Sequence, residues 1–159
     1  TSGLMLVAKN NKVHEILSDD FKNKKVYREY YALLVGKFPS DTAYIDAPIA
    51  RSKTNFQKQE VRSDGKEART NLKVLKRYND YTLVSLVLET GRTHQIRVHT
   101  SYIGYPVYND PVYINKEATE FGQFLHSKTI RFTHPITKEI LEFTSSLPKY
   151  FQDFIDKLN

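Results

Sequence analysis

The stretch from Ala68 to His99 reads ARTNLKVLKRYNDYTLVSLVLETGRTHQIRVH. Two apolar runs rich in β-branched residues, Ala68–Tyr78 and Tyr81–Leu88, flank Asn79-Asp80, a hairpin turn signal. Glu89-Thr90-Gly91 then breaks the sheet, and Thr93 is placed to cap a helix from about His94 to Tyr102. A sheet that hands over to a helix within thirty-two residues is the organising unit of the chain.

Upstream of this unit, Leu4–Ala8 is a short apolar run that predicts a buried strand. Val13, Ile16, Leu17 and Phe21 recur at helical spacing, which predicts an amphipathic helix over about Lys12–Phe21. Val26–Val35 predicts a strand ending at Gly36, Ala43–Ile49 a shorter one interrupted at Pro48, and Gln57–Arg62 another. Downstream, Gly104–Pro111 is a loop rich in Pro, Gly, Asn and Asp. Leu125–Phe132 and Glu139–Thr144 form a hairpin across residues 134–138. Pro148 opens a last helix whose inner face is Phe151, Phe154, Ile155 and Leu158. Many strands and three helices predict an α+β fold, a mostly antiparallel mixed sheet.

The 159 residues, 40% hydrophobic, are one domain's worth and can bury a core. The absence of cysteine excludes disulfides, thiolate metal sites and a cysteine nucleophile within them. The apolar runs are far shorter than the ~20 residues a membrane helix needs, so no membrane is expected as a partner and the cytoplasm is the default compartment. The chain opens TSGLMLVAKN, without a methionine or signal peptide, which suggests a fragment or a processed chain. The net charge of +6 is concentrated. Arg51–Arg77 holds nine basic and three acidic residues, and the remainder is neutral. Such a stretch suits a polyanion, through phosphate contacts and counterion release, or is simply a solvated face. Eleven tyrosines add surfaces able to stack on unpaired bases, although such residues are more often core and rim.

Gly91–His99 (GRTHQIRVH) is the densest polar segment. His94 and His99 are five apart with no neighbouring carboxylate, a poor metal site. An acid–base pair would need a second histidine brought in by the fold, such as His126 or His134. Arg97 can orient a carboxylate, but none lies in the segment. The remaining reading is a polar helix on a protein surface.

The same nine residues resemble the GRTHQIRVH motif of the RluA-type pseudouridine synthases, which isomerise uridine in ribosomal or transfer RNA. Other segments agree in order. Thr1–Leu4 with Leu6–Lys9 resembles the stretch after the family's His-Arg-Leu-Asp motif; Arg28-Glu29-Tyr30, Ala32 and Gly36 resemble the strand of its active-site tyrosine. Gly65–Thr70 resembles its Gly-Lys-x-Ala-x-Thr strand start. Gly104–Val107 with Asp110-Pro111 and Tyr113 resembles its Gly-x-Pro-x-x-Gly-Asp-x-x-Tyr loop. Leu125-His126, Phe132, His134-Pro135, Phe143, Leu147-Pro148 and Phe151 resemble its closing hairpin and helix. The likeness spans the whole chain. Asn109 and Ile114 stand where the family pattern has glycine, which bears on the turn geometry of that loop.

The resemblance implies a pseudouridine synthase catalytic fold shortened at its N-terminus. Residues 1–159 would then be a single domain, the C-terminal portion of the catalytic domain. The nucleophilic Asp would lie three residues before Thr1, so the chain alone is expected to be inactive. It implies a reaction without metal or other cofactor, on large-subunit ribosomal RNA or on tRNA, with the target base flipped from its stack. Tyr30 is implied to stack on the uracil, its hydroxyl a candidate acceptor of the C5 proton, and Arg97 to pair with the nucleophile. Arg92, Thr93, His94 and Gln95 are candidate RNA contacts, and Lys66 and Arg69 candidate phosphate contacts. Asp110 is expected to serve its loop as a turn or cap residue. With its partner missing, Arg97 is expected to hold an anion, a water cluster or an internal carboxylate such as Glu89, or to rotate away. Shortening is also expected to expose an apolar edge near Leu4–Ala8 that favours self-association. The competing class is a non-catalytic RNA-binding domain, motivated by the basic stretch.

Overall fold

Tyr81–Leu88 carries apolar or small side chains on both faces, and its inner six positions are buried or nearly so. A strand of that composition needs cover on both sides, which places it at the middle of the sheet. The computed structural model describes residues 1–114 and 116–159. In chain order its elements are β1 (Ser2–Gly3), α1 (Asn11–Lys22), β2 (Tyr27–Val35), β3 (Thr42–Asp46), β4 (Ile49–Arg51), β5 (Gln59–Val61), β6 (Arg69–Arg77), β7 (Tyr81–Leu88), α2 (Gln95–Tyr102), β8 (Leu125–Thr133), β9 (Ile140–Thr144) and α3 (Lys149–Asp156). The large sheet runs β1-β8-β2-β7-β6-β3, with β9 also paired to β8, and β4-β5 is a separate hairpin. Every pairing is antiparallel except β1 with β8. The fold is α+β, as the many strands and three helices predict.

The period-two alternation of β2 divides the core. Ala32 and Leu34 point to one face and join Leu72, Val84, Leu86, Ile96 and Val107 beneath α2. Leu33 points to the other face and joins Leu83, Phe124, Phe151 and Ile155 beneath α3. α1 covers the β8 end with Leu17, against Val26, Ile130 and Phe132. Asn10 caps α1 by accepting from the Val13 amide at 2.9 Å.

Two local expectations are corrected. Leu4–Ala8 is not a buried strand. Only Ser2 and Gly3 pair, with His126 and Ser127. Beyond them Leu4, Leu6 and Ala8 pack on the α1 cluster while Met5 and Val7 are 84% and 70% exposed. Gly3 explains the abrupt end of pairing: φ is +94° and a Cβ there would stand 2.2 Å from the Ser127 carbonyl oxygen. Thr93 does not cap α2. His94 occupies the N-cap position in a left-handed conformation (φ 56°), without a side-chain cap, and Thr93 is exposed.

Candidate active site

The entry to α2 is held by Gln95 instead. Its Oε1 accepts from the Arg92 amide (3.0 Å) and the Thr90 hydroxyl (2.7 Å), and its Nε2 donates to the Arg69 carbonyl (2.9 Å) and Thr70 Oγ1 (3.0 Å). Both oxygen lone pairs and both amide protons are therefore used inside the protein. Gln95 is 2% exposed, so its expected role as an RNA contact gives way to a structural one. All of Gln95–Thr100 is buried, and the reading of the segment as a surface helix is set aside.

A buried helix with this many polar groups must satisfy each of them. His99 Nε2 contacts the Ala47 carbonyl at 2.9 Å, so it carries the proton, and Nδ1 accepts from the Thr70 hydroxyl at 2.8 Å. Burial pushes the His99 pKa down, which keeps the ring neutral. Arg97 donates from Nε and Nη2 to the two oxygens of Asp110, at 2.7 and 2.8 Å, and its guanidinium lies 5.1 Å from the centre of the Tyr113 ring. The Asp110 side chain is 0% exposed and Oδ1 also accepts from the amides of Val112 and Tyr113. Burial raises its pKa, but the bonds from Arg97 and the two amides outweigh that and hold it below the usual carboxylate value.

The partner of Arg97 is thus Asp110, neither a stray anion nor Glu89, which instead accepts from the Tyr44 hydroxyl at 3.1 Å. Asp110 does serve its loop as a turn residue and adds the ion pair to that role. The loop keeps its geometry although Asn109 replaces glycine. Asn109 sits at φ 60°, a conformation asparagine tolerates, and its side chain bonds Thr119 and the Gly122 carbonyl. Ile114 has no left-handed backbone, so no glycine is required there.

Tyr113 links this pair to His94. Its hydroxyl accepts from the Gln59 amide (2.9 Å) and lies 2.8 Å from His94 Nδ1, to which it donates. Burial and the Arg97 charge both push the His94 pKa down, which favours that neutral acceptor. His126 is engaged by Ser2 and the Ser145 carbonyl, and His134 by the amides of its own turn. Neither pairs with His94, so the two-histidine reading fails. Among the described residues no three His, Asp or Glu side chains converge on a metal position.

Tyr30 lies across the sheet from Leu86, on the α2 face. Tyr31 points to the opposite face, where Lys128 lies 5.7 Å from its ring centre. A cleft of about 160 Å³ is lined by Thr1, Tyr30, Leu88, Arg92, His94, Gln95, Ile96, Arg97 and Leu125. It brings Tyr30, Arg97, Arg92 and His94 together beside the first residue of the chain. A neighbouring cleft of about 450 Å³ holds Arg51, Lys66, Arg92 and Thr93. Arg69 stands apart, paired with Glu67 at 3.2 Å and Asp46 at 3.6 Å, and lines a third cleft that also reaches Arg92. The concentrated charge of Arg51–Arg77 is not one patch: Arg62, Arg69 and Arg77 are all in ion pairs.

The family model for RNA pseudouridylate synthase matches residues 1–102, which include β1, Tyr30 and the whole of α2. The chain belongs to the RNA pseudouridylate synthase family. Among relatives of this synthase family, "Uncharacterized RNA pseudouridine synthase YlyB" of Bacillus subtilis (strain 168) is 47% identical over 99% of the chain and 52% of its own length. "Ribosomal large subunit pseudouridine synthase D" of Buchnera aphidicola subsp. Baizongia pistaciae is 38% identical over 100% of the chain and 54% of its own length. The solved structure of "Human RNA Pseudouridylate Synthase Domain Containing 1" superposes with a TM-score of 0.74 at 30% identity, covering 87% of the chain and 61% of that protein. The names among these synthases, with the ordered motifs, identify the chain as RluA-type. It spans about half the length of the curated relatives it matches.

Proposed function

We propose that these residues form the C-terminal part of the catalytic domain of an RNA pseudouridine synthase that isomerises a uridine of large-subunit ribosomal RNA. The observation that carries this reading is the convergence of Thr1, Tyr30 and Arg97 on one cleft. By the motif resemblance a nucleophilic Asp precedes Thr1 by three residues, and a chain entering at Thr1 brings that carboxylate beside the arginine. Arg97 commits Nε and Nη2 to Asp110 and leaves Nη1 for the second carboxylate. Asp110 fixes the direction of the guanidinium and offsets its charge, so the pair orients the nucleophile more than it acidifies it.

In the reaction the carboxylate takes C1′ as the bond to N1 breaks. The detached uracil turns, C5 bonds to C1′ as the carboxylate leaves, and the C5 proton departs while the freed N1 takes one up. Tyr30 stacks on the uracil, and its hydroxyl oxygen accepts that proton as its own passes to water. His94, Arg92 and Thr93 flank the cleft and meet the flipped nucleotide's strand. Lys66 and Arg69 meet phosphate further out. No cofactor enters these steps. The synthase works in the cytoplasm, and the exposed side chains of Met5 and Val7 offer the apolar surface through which copies would associate, a state that analytical ultracentrifugation reads directly.

The test uses RNA tritiated at uracil C5. A chain extended upstream through the Asp releases tritium, and the 159 residues alone do not. Tritium release by the short chain contradicts the role given to the upstream residue. An extended chain that binds RNA and never yields pseudouridine makes this a non-catalytic RNA-binding domain.

A further inference from the structure

Among the described residues, an arginine outside this cleft has no counter-ion. Arg28 lies on β2 two residues before Tyr30, half-buried, with its guanidinium 5.0 Å from the centre of the Phe21 ring. Its Nε is enclosed and has no hydrogen-bond partner among the described residues. Nor does it appear in any of their ion pairs. Burial pushes the guanidinium below the ordinary arginine value, and the only ionisable neighbour that opposes this is Tyr30, not a carboxylate. A half-buried cation with one enclosed, unbonded nitrogen stands here without a counter-ion, whereas the buried Arg97 has Asp110.

Arg28 opens on a cleft of about 540 Å³ whose other cations are Lys22, Lys24, Arg69 and Arg92. The two carboxylates there are engaged by groups other than Arg28: Glu67 offsets Arg69 at 3.2 Å within the cleft, and Glu89 accepts from the Tyr44 hydroxyl at 3.1 Å. Gly91 leaves the room that the guanidinium fills, since a Cβ at that position would stand 2.5 Å from Arg28 Nη1. The glycine that opens GRTHQIRVH is thereby tied to Arg28 as well as to the turn into α2. Arg92 lines both this cleft and the one holding Tyr30 and Arg97.

We propose that the Arg28 cleft binds a backbone phosphate of the RNA strand, with Arg28, Lys22 and Lys24 as its ligands, next to the nucleotide held at Tyr30. The inference rests on the RNA reading above and adds to it a second anchoring point on the α1 side of the molecule. A planar guanidinium offers two parallel donors to a phosphate, and the two lysines supply diffuse charge. A strand bridging from Tyr30 past Arg92 to Arg28 is held on both sides of its reacting nucleotide, which fixes the register of the target base.

The test measures binding of a fluorescent uridine-containing oligoribonucleotide, lacking terminal phosphate, over a series of salt concentrations. Arg28→Gln should weaken binding about tenfold and lower the slope of log affinity against log salt by about 0.7, one phosphate contact on a single strand. Lys22→Gln with Lys24→Gln, at two exposed positions, should lower the slope by a similar step, and Lys157→Gln, just past the end of α3, should leave it unchanged. Should Arg28→Gln fold poorly, the lysine pair and the Arg28 side-chain NMR signal of the unaltered protein decide the matter. That signal should shift saturably with both inorganic phosphate and the oligonucleotide. A response to phosphate but not to RNA overturns the proposal in favour of a small-anion site. An unchanged slope in folded Arg28→Gln overturns it outright. If the extended chain forms pseudouridine while the slope is unchanged, this site alone falls; if the slope drops and no pseudouridine forms, the synthase reading alone falls.

Discussion

Arg97 and Arg77 are both paired with an aspartate at hydrogen-bond distance, and they live under different physics. Arg97 and Asp110 are enclosed between α2 and its following loop, with the Asp110 side chain at 0% exposure. Arg77 meets Asp41 at 2.9 Å on the rim of β3 and β6, where Asp41 is 91% exposed. In the first pair both groups are largely withdrawn from water, and compensation comes from the partner, from the Val112 and Tyr113 amides on Asp110 and from the Tyr113 ring beside Arg97. In the second, water screens both groups and replaces either one at little cost. Contact distance therefore says nothing here about importance; burial does. The candidate cleft beside Tyr30 is built on the first kind of pair, so its geometry rests on buried groups.

The largest effect should come from breaking the buried pair on one side only. Asp110→Ala leaves the Arg97 guanidinium enclosed without a counter-charge and strips the Val112 and Tyr113 amides of their acceptor. The expected cost is about 3–5 kcal/mol of unfolding free energy, read from the urea midpoint. Arg97→Met combined with Asp110→Leu removes both charges and should recover most of that stability while leaving the extended synthase inactive. A double variant as unstable as the single one would mean that packing, not charge, holds the site. Because the folded Asp110 pKa lies below its unfolded value, the pair's contribution is complete above about pH 4 and is lost as pH falls through the folded value.

The sheet was legible because its signals are local. The runs Val26–Val35, Tyr81–Leu88 and Leu125–Phe132 are too rich in β-branched and aromatic residues to be anything but strands, and observed boundaries fall within a residue or two. Leu4–Ala8 misled because an apolar composition does not reveal whether a neighbouring strand is available to pair with it. The Tyr30 face followed from strand alternation and family register together. What spacing could not supply was the company of each polar side chain. Asp110 is thirteen residues from Arg97, and nothing in either segment announces the pair. The Gln95 amide, with four bonds to two segments, looks in sequence like any polar residue at a helix start. Arg28 was visible only as part of a motif, since an unpaired buried nitrogen is a property of the fold.

A smaller effect should follow from His99, where the pairing is neutral. His99→Gln disrupts the bonds to Ala47 and Thr70 that tie α2 to the sheet, at a cost of about 1–3 kcal/mol. Burial lowers the folded His99 pKa, so the unfolded chain takes up the proton first as pH falls below about 6.5. Stability conferred by this residue is therefore present above that pH and declines below it until the folded ring also protonates. His94 and His126 are lowered for the same reason and contribute in the same direction. Urea midpoints between pH 7 and 5 should fall less steeply in His99→Gln than in the unaltered protein. Parallel curves would show that His99 does not titrate in this window.

The smallest effect belongs to the rim. Asp41→Asn removes a carboxylate that accepts one bond from Arg77 Nη2, while Arg77 Nε still donates to the Phe38 carbonyl at 2.8 Å. The arginine stem therefore keeps its position, and its freed nitrogen meets water. A double-mutant cycle with Arg77→Gln should give a coupling on the order of 0.5 kcal/mol in dilute buffer, shrinking as salt is raised. The corresponding cycle at Arg97 and Asp110 should be several times larger and much less sensitive to salt, because the Asp110 carboxylate is fully enclosed. If both couplings fell together with added salt, the enclosure of the Arg97 pair would be breached in solution, and the cleft beside Tyr30 would be too wet to hold a carboxylate in one direction.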